Sequence, residues 1–248
     1  MITHDILNTI EDDALVEDVW IGVHWTAVAL ADGRCGMAST LADDNHHRED
    51  GRAPVQHAGR LQTHSALALA AYANNHTGPE ASVGWATINA LVSNSLDSDN
   101  YAEVELDAAD YLLQHGAGRH VAVVGHFPFT KRLRAGVSKL SVLELDPSEG
   151  DLPASAAPEI LPQVDVAAIT SLTLVNGSFE MLMKYIRKDT PVLMLGPSTP
   201  LSAVLFAHGI DALSGVRITD ALAVRRTITQ GATFPQVRGI RKVTITRR

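Results

Sequence analysis

The spacing of apolar positions changes several times along the chain. Ile6, Leu7, Ile10 and Leu15 fall at helical intervals, which predicts a short amphipathic helix over 4–15. From Val16 to Thr40 the text VEDVWIGVHWTAVALADGRCGMAST is rich in Val, Ile and Trp and is broken by Gly22 and by Asp32-Gly33. Two or three antiparallel strands with a tight Asp-Gly hairpin turn follow from that pattern. Residues 43–59, DDNHHREDGRAPVQHAG, show no period and carry Gly and Pro, so they read as a loop, long enough to have a function. Two helices are predicted next, over 61–75 and 81–95, separated by the breaker HTGP. Helix, small antiparallel sheet and helix pair make an α+β unit.

Beyond the polar turn at 95–100 the text alternates between strand-like and helix-like pieces. Six strand candidates stand out: HVAVVG, KLSVLELD, VDVAAIT, PVLMLG, the short DALSG and the terminal RKVTIT. Helical stretches intervene around 103–115, 127–135, 179–187, 202–208 and 219–228. Continuous apolar strands separated by helices are what a parallel sheet covered on both faces requires. The predicted fold class is therefore α/β, with a Rossmann-like parallel sheet over 99–248 and a smaller α+β domain over 1–98.

Composition narrows the function classes. Hydrophobic residues at 46% and charged residues at 19% describe a globular chain, not a disordered one. A net charge of -8 disfavours a general nucleic-acid binder, which needs a basic stripe to displace counterions. The basic run 238–248 flanks VTIT and reads as a solvated edge strand. Cys35 is the one cysteine, which rules out an internal disulfide and a site built on several thiolates. No secretory pattern follows Met1, and the longest apolar stretches fall short of the roughly 20 residues of a spanning helix, so a cytoplasmic protein without membrane contact is expected. A homo-oligomer accords with base rates.

In an open parallel sheet, ligands collect outside the carboxyl ends of the strands, so the loops there carry the candidate chemistry. Gly125, His126, Phe127 and Pro128 follow the first strand; with one glycine where a dinucleotide turn has three, NAD is not expected. Glu144 ends the second strand, where an acid can hold ribose hydroxyls or simply face solvent. After the third strand come Thr170, Asn176, Gly177 and Ser178, able to cap a helix or to bind an anion. Gly196, Pro197, Ser198, Thr199 and Pro200 lie between PVLML and LSAVLF, and the spacing predicts a helix start with Thr199 as N-cap and Pro200 at its first position.

Eleven histidines raise the question of a metal, and seven precede Thr77. Their spacing is unpersuasive: His46 and His47 are adjacent, His57 and His64 share a helical face only if a helix begins before Gly59, and no HExxH motif occurs. His24 and His126, each beside an aromatic residue, are the retained candidates, and with Glu144 they are the expected ligands of a divalent metal ion. Cys35 reads as a buried small apolar side chain.

The runs VAVVGHFPF, SVLELDP, DVAAITSLTLVNGSFEMLM and VLMLGPSTPLSAVLFAHGIDALSG resemble the family known as the putative heavy-metal chelation domain. IGVHWTAVALADGRCGMAST and GWATINALVSN are similar to its first domain. The resemblance implies an enolase-N-terminal-like domain joined to a Rossmann-like domain, with a site in the cleft between them. Carried over, that site holds Asn89, Gly125, Glu144, Thr170, Asn176, Gly177, Gly196, Pro197, Ser198 and Thr199. Ser178 stands where the family pattern has Thr and keeps the hydroxyl. The function expected is binding of a small ligand in that cleft, a metal ion or a metal-chelating metabolite. The alternative is an enzyme acting on a small carboxylate- or nucleoside-bearing metabolite, in the making of a chelating natural product.

Overall fold

The computed structural model of the chain describes residues 1–42, 53–75, 77–96 and 99–248. Helix α1 spans only Ile2–Leu7, shorter than the predicted 4–15. The residues that follow commit their backbone elsewhere: Ala14 O accepts from Ala66 N, Leu15 O accepts from Ala31 N, and the Asp13 carboxylate accepts from Leu67 N. A helix would hold those same groups within itself. Strands β1 (Val16–Ile21), β2 (Trp25–Leu30) and β3 (Cys35–Ser39) form the expected antiparallel sheet, with Asp32-Gly33 in the β2–β3 turn. α2 (Ala66–Ala70) starts at Ser65, whose hydroxyl accepts from Ala68 N. α3 (Gly78–Leu91) then packs against β2 and β3 and is buried along nearly its whole length.

Small residues set that packing distance. A side chain at Gly36 of β3 would run into the backbone of Ala86, Asn89 and Ala90 of α3. Sheet and helix meet backbone to backbone there.

The larger sheet draws on the rest of the chain: β4 (Tyr101–Val104), α4 (Ala108–Gly116), β5 (His120–Val124), α5 (Thr130–Gly136), β6 (Lys139–Glu144), β7 (Leu152–Pro153), α6 (Ala157–Ile160), β8 (Val166–Thr170), α7 (Leu172–Val175), α8 (Phe179–Met183), β9 (Val192–Leu195), α9 (Ala203–Ala207), β10 (Ala212–Ile218), α10 (Ala221–Ile228) and β11 (Ile240–Arg247). The strand order is β4-β11-β10-β9-β8-β5-β6-β7, and only β11 runs antiparallel to its neighbours. From β5 onward the parallel strands take the order third, second, first, fourth, fifth, sixth, which is the Rossmann arrangement. Its reversal point lies between β5 and β8.

Two expectations about this sheet are corrected. The segment 103–115 does not begin as a helix: Tyr101–Val104 pairs with β11, and α4 starts only after Asp107, whose carboxylate accepts from Asp110 N. As a consequence the basic run 238–248 is not an edge strand, because β4 covers β11.

Side chains alternate across the strands, so the sheet buries both faces. Val121, Val123, Ala168 and Leu193 pack with Tyr111, Leu112 and Leu133 of α4 and α5. Ala122, Val124, Ile169 and Met194 join one continuous core with Val28 and Leu30 of β2 and with Trp85 and Ile88 of α3. The antiparallel sheet and α3 thus cover one face of the parallel sheet. Among the described residues no helix is long and apolar enough to cross a membrane.

Candidate functional site

At the reversal point the strand ends form a row of close approaches. Gly125 has φ +102, and a Cβ there would sit 3.1 Å from Thr170 Cβ and 3.2 Å from the Phe127 ring. Gly196, at φ +124, would place a Cβ 2.7 Å from Ser171 Oγ. Both positions combine a left-handed backbone with no room for a side chain, so only glycine fits. Glu144 does not stand free beside them: its Oε2 accepts from His126 N at 2.7 Å and its Oε1 from Leu145 N at 2.8 Å. His126 in turn places Nδ1 2.8 Å from Asp151 Oδ2, and that carboxylate is 2% exposed. Carboxylate, imidazole and backbone together fix the loop after β5 against the loop after β6.

The NGS loop closes on itself. Asn176 Oδ1 accepts from Ser178 N at 3.1 Å and from Ser178 Oγ at 2.7 Å, across Gly177. Thr170 Oγ1 accepts from Leu172 N at 3.3 Å, and Thr170 O accepts from Thr173 Oγ1 at 2.7 Å. Asn176 sits at the end of α7, which packs against β3 and α3, so the loop is held near the antiparallel sheet.

The GPSTP turn does something the sequence did not suggest. Thr199 is not an N-cap: its hydroxyl donates to Ser214 O at 3.1 Å, and α9 begins later, capped by Ser202 Oγ accepting from Val204 N. The reason lies one residue earlier. Ser198 is fully buried, and its Oγ accepts from Ser39 N at 2.8 Å and lies 3.1 Å from Ser39 Oγ. Asn89 Nδ2 donates to Met37 O at 2.8 Å and to Ser198 O at 3.1 Å. Residues 198 and 199 are held in a polar seam between β3, α3 and β10, and the chain turns helical only after leaving it.

The seam is incomplete at one atom. Asn89 Oδ1 is buried and has no hydrogen-bond partner. Asn89 also lines a cavity of about 320 Å³, whose walls include Asp32, Arg34, Cys35, Thr199 and Arg217. Arg34 pairs with Asp32 at 2.7 Å and donates to Leu91 O at 3.0 Å. Arg217 donates to Ser93 O at 2.6 Å and pairs with Glu103 at 3.6 Å. The Arg34 guanidinium holds the Asp32 carboxyl below the usual carboxylate range. Burial, with the Glu17 charge nearby, pushes the Cys35 thiol up to about 12, so it is protonated at neutral pH and no nucleophile.

Sequence reasoning passed over both arginines. Arg34 had a signal, a cation directly after an Asp-Gly turn. Arg217 had none, because it lies beyond the end of the apolar run DALSG and only the longer β10 carries it to the cavity.

The residues expected to ligate a metal are not brought together. His24 is exposed in the turn between β1 and β2, Glu144 accepts backbone N–H groups, and His126 is turned to Asp151. Among the described residues no group of three or more His, Cys, Asp and Glu side chains converges as a metal site. A zinc-like or transition-metal centre needs such convergence, so His24, His126 and Glu144 do not fit one. The fold does unite His57 and His64, whose ring centroids are 4.4 Å apart, although no helix relates them. His46 and His47 lie outside the described residues.

A family model described as putative heavy-metal chelation matches residues 107–247, and a second with the same description matches 4–92. No curated protein matches the chain. Two solved structures resemble it over nearly its full length. One is a DUF364-family protein of unknown function from Desulfitobacterium hafniense, 28% identical over 99% of this chain and 97% of its own, with a TM-score of 0.84. The other is a DUF364-family protein of unknown function from Pyrococcus horikoshii, 19% identical over 100% of this chain and 98% of its own, with a TM-score of 0.78.

Proposed function

The chain belongs to the DUF364 family, described as putative heavy-metal chelation, and from that premise we propose that it binds a small oxygen-rich chelating molecule, with or without its metal, beside Asn89. In this reading residues 1–98 and 99–248 are two units, and the ligand lies between them. One observation carries the reading: the buried, unpartnered Oδ1 of Asn89, a residue that lines the cavity. A buried acceptor left without a donor costs on the order of 1–3 kcal/mol, which an entering hydroxyl or amine removes.

The rest of the wall favours an organic anion over a bare cation. Arg34 and Arg217 are guanidinium groups, which present planar forks suited to carboxylates and repel a metal ion, and a carboxylate ligand shares them with Asp32 and Glu103. A hydroxycarboxylate meets all three residues: its hydroxyl donates to Asn89 Oδ1 and its carboxylates face the arginines. Its metal then needs no ligand from the protein. In this reading Gly125, His126, Glu144, Thr170, Asn176, Gly177 and Ser178 fix the loops after β5, β6 and β8 beside the site, and Gly196 opens the turn that carries Pro197, Ser198 and Thr199 to the seam.

Calorimetry with citrate, ferric citrate and zinc chloride separates the options. Citrate and ferric citrate are expected to bind saturably, and Asn89→Ala and Arg34→Ala are each expected to weaken them by about tenfold, the cost of one charge-assisted or buried hydrogen bond. Saturable heat from zinc alone, with none from either citrate form, would overturn the reading.

A further inference from the structure

A second chamber adjoins the first, with Pro197 and Val216 lining both. It measures about 520 Å³, within the range of small-molecule pockets, and it opens at the carboxyl ends of β4, β9 and β10. Its walls are aromatic and apolar. Phe127 and Phe129 stack with centroids 5.2 Å apart and planes at 13°, and Phe234 contributes a third ring.

The rim is charged. Glu103 is occupied by Arg241 and Arg217. Asp107 caps α4 by accepting from Asp110 N. Glu105 is exposed and forms no hydrogen bond or ion pair among the described residues. Lys242 places its ammonium 5.3 Å from the Phe234 ring centroid and is the one cation lining the chamber among the described residues. Glu105 and Asp107 thus line an aromatic interior with no cation paired to either among the described residues, while Lys242 is held over the Phe234 ring.

We propose that this chamber is a second ligand site, taking a small aromatic amine whose ring packs against the phenylalanines and whose ammonium meets Glu105 and Asp107. Ring packing at centroid separations of 4.5–7 Å stabilises such a guest by about 0.5–1.5 kcal/mol per pair beyond its area burial. The carboxylates then select its charge. The site stands apart from the chelator reading, since it uses neither Asn89 nor Arg34.

Ligand-observed NMR and calorimetry with 2-phenylethylamine and phenylacetate, which share a ring and differ in charge, test the proposal. The amine is expected to bind saturably, and more tightly than the acid by about two- to fivefold at low salt, the worth of one partly exposed ion pair. Glu105→Gln, a surface change that leaves the fold intact, should reduce that preference while ring binding persists. Ala108→Phe, which fills the chamber from the first residue of α4, should abolish both ligands in protein shown folded by circular dichroism. Absence of amine binding, an equal or tighter acid, a preference unchanged by Glu105→Gln, or undiminished binding to folded Ala108→Phe would each overturn it. Because Trp25 lies 5.7 Å from the Phe234 ring, its fluorescence gives an independent readout of occupancy.

Discussion

The cavity beside Asn89 and the chamber beside Phe129 share Pro197 and Val216, yet their walls differ in kind. The first is bounded by a hairpin, a helix end and β10, and meets its neighbours through carbonyls, hydroxyls and guanidinium groups. The second is bounded by loop aromatics around the large sheet alone. One turn of chain therefore presents two chemistries, and what decides each is the element opposite it. Where a strand edge and a helix end approach, their free backbone groups demand polar partners. Where side chains from strand-end loops converge, rings line the space and charge is left to the rim.

The polar side is the more sensitive, and replacing Gly36 should break it most severely. Gly36→Val drives a branched side chain into the α3 backbone, and a loss of about 4 kcal/mol or more, seen as missing soluble folded protein or a collapsed urea transition, is expected. A protein of near-native stability would show that β3 and α3 separate easily. Ser198→Ala is milder. It removes the acceptor for Ser39 N inside the seam and should cost about 1–3 kcal/mol in urea unfolding, while 2-phenylethylamine binding at the chamber stays unchanged. If the amine weakens in parallel, the two cavities are coupled through Pro197.

Acid should have the smallest effect and touch both regions. Asp32 at the seam, held by Arg34, and Glu103 at the chamber rim, held by Arg241, both have carboxyls below their ordinary values. Their folded forms bind protons less readily than the unfolded chain. Each contribution is therefore fully present above the ordinary values of 3.8 and 4.5 and is lost as pH falls through the lower folded ones. Both pairs are partly exposed, so each is worth no more than about 1 kcal/mol. Asp32→Asn and Glu103→Gln should each flatten the fall in urea midpoint below pH 4.5; an unaltered profile in both variants would remove these pairs as the source.

Much of the fold was legible because burial leaves a local trace. HVAVVG, VDVAAIT and PVLMLG read as strands since a sheet covered on both faces needs unbroken apolar runs, and they became β5, β8 and β9. Glu103 and Val104 were read as the start of a helix, because YAEV, three half-buried residues and one exposed at a sheet edge, carries no period of its own. DALSG looked short since β10 continues into VRI, where burial fades. At the candidate site, residue identities were partly legible and roles were not. Ser198 and Thr199 looked like an anion-binding helix start, but the same hydroxyls bond Ser39 and Ser214. A small polar residue beside glycine and proline has one appearance whether it caps, binds or seals.

By itself, then, the sequence determined the α/β class, the antiparallel hairpins with their Asp32-Gly33 turn, the positions of most strands and the burial of Cys35. These follow from periods and turn chemistry that act within a few residues of one another. Only the tertiary structure decided that Ser39 meets Ser198 across 159 positions, that Asn89 meets the same residue across 109, and that Glu103 meets Arg241 across 138. It also decided that Asn89 Oδ1 is left over. Such pairings depend on which faces are pressed together once both sheets are formed, and no local pattern carries that information.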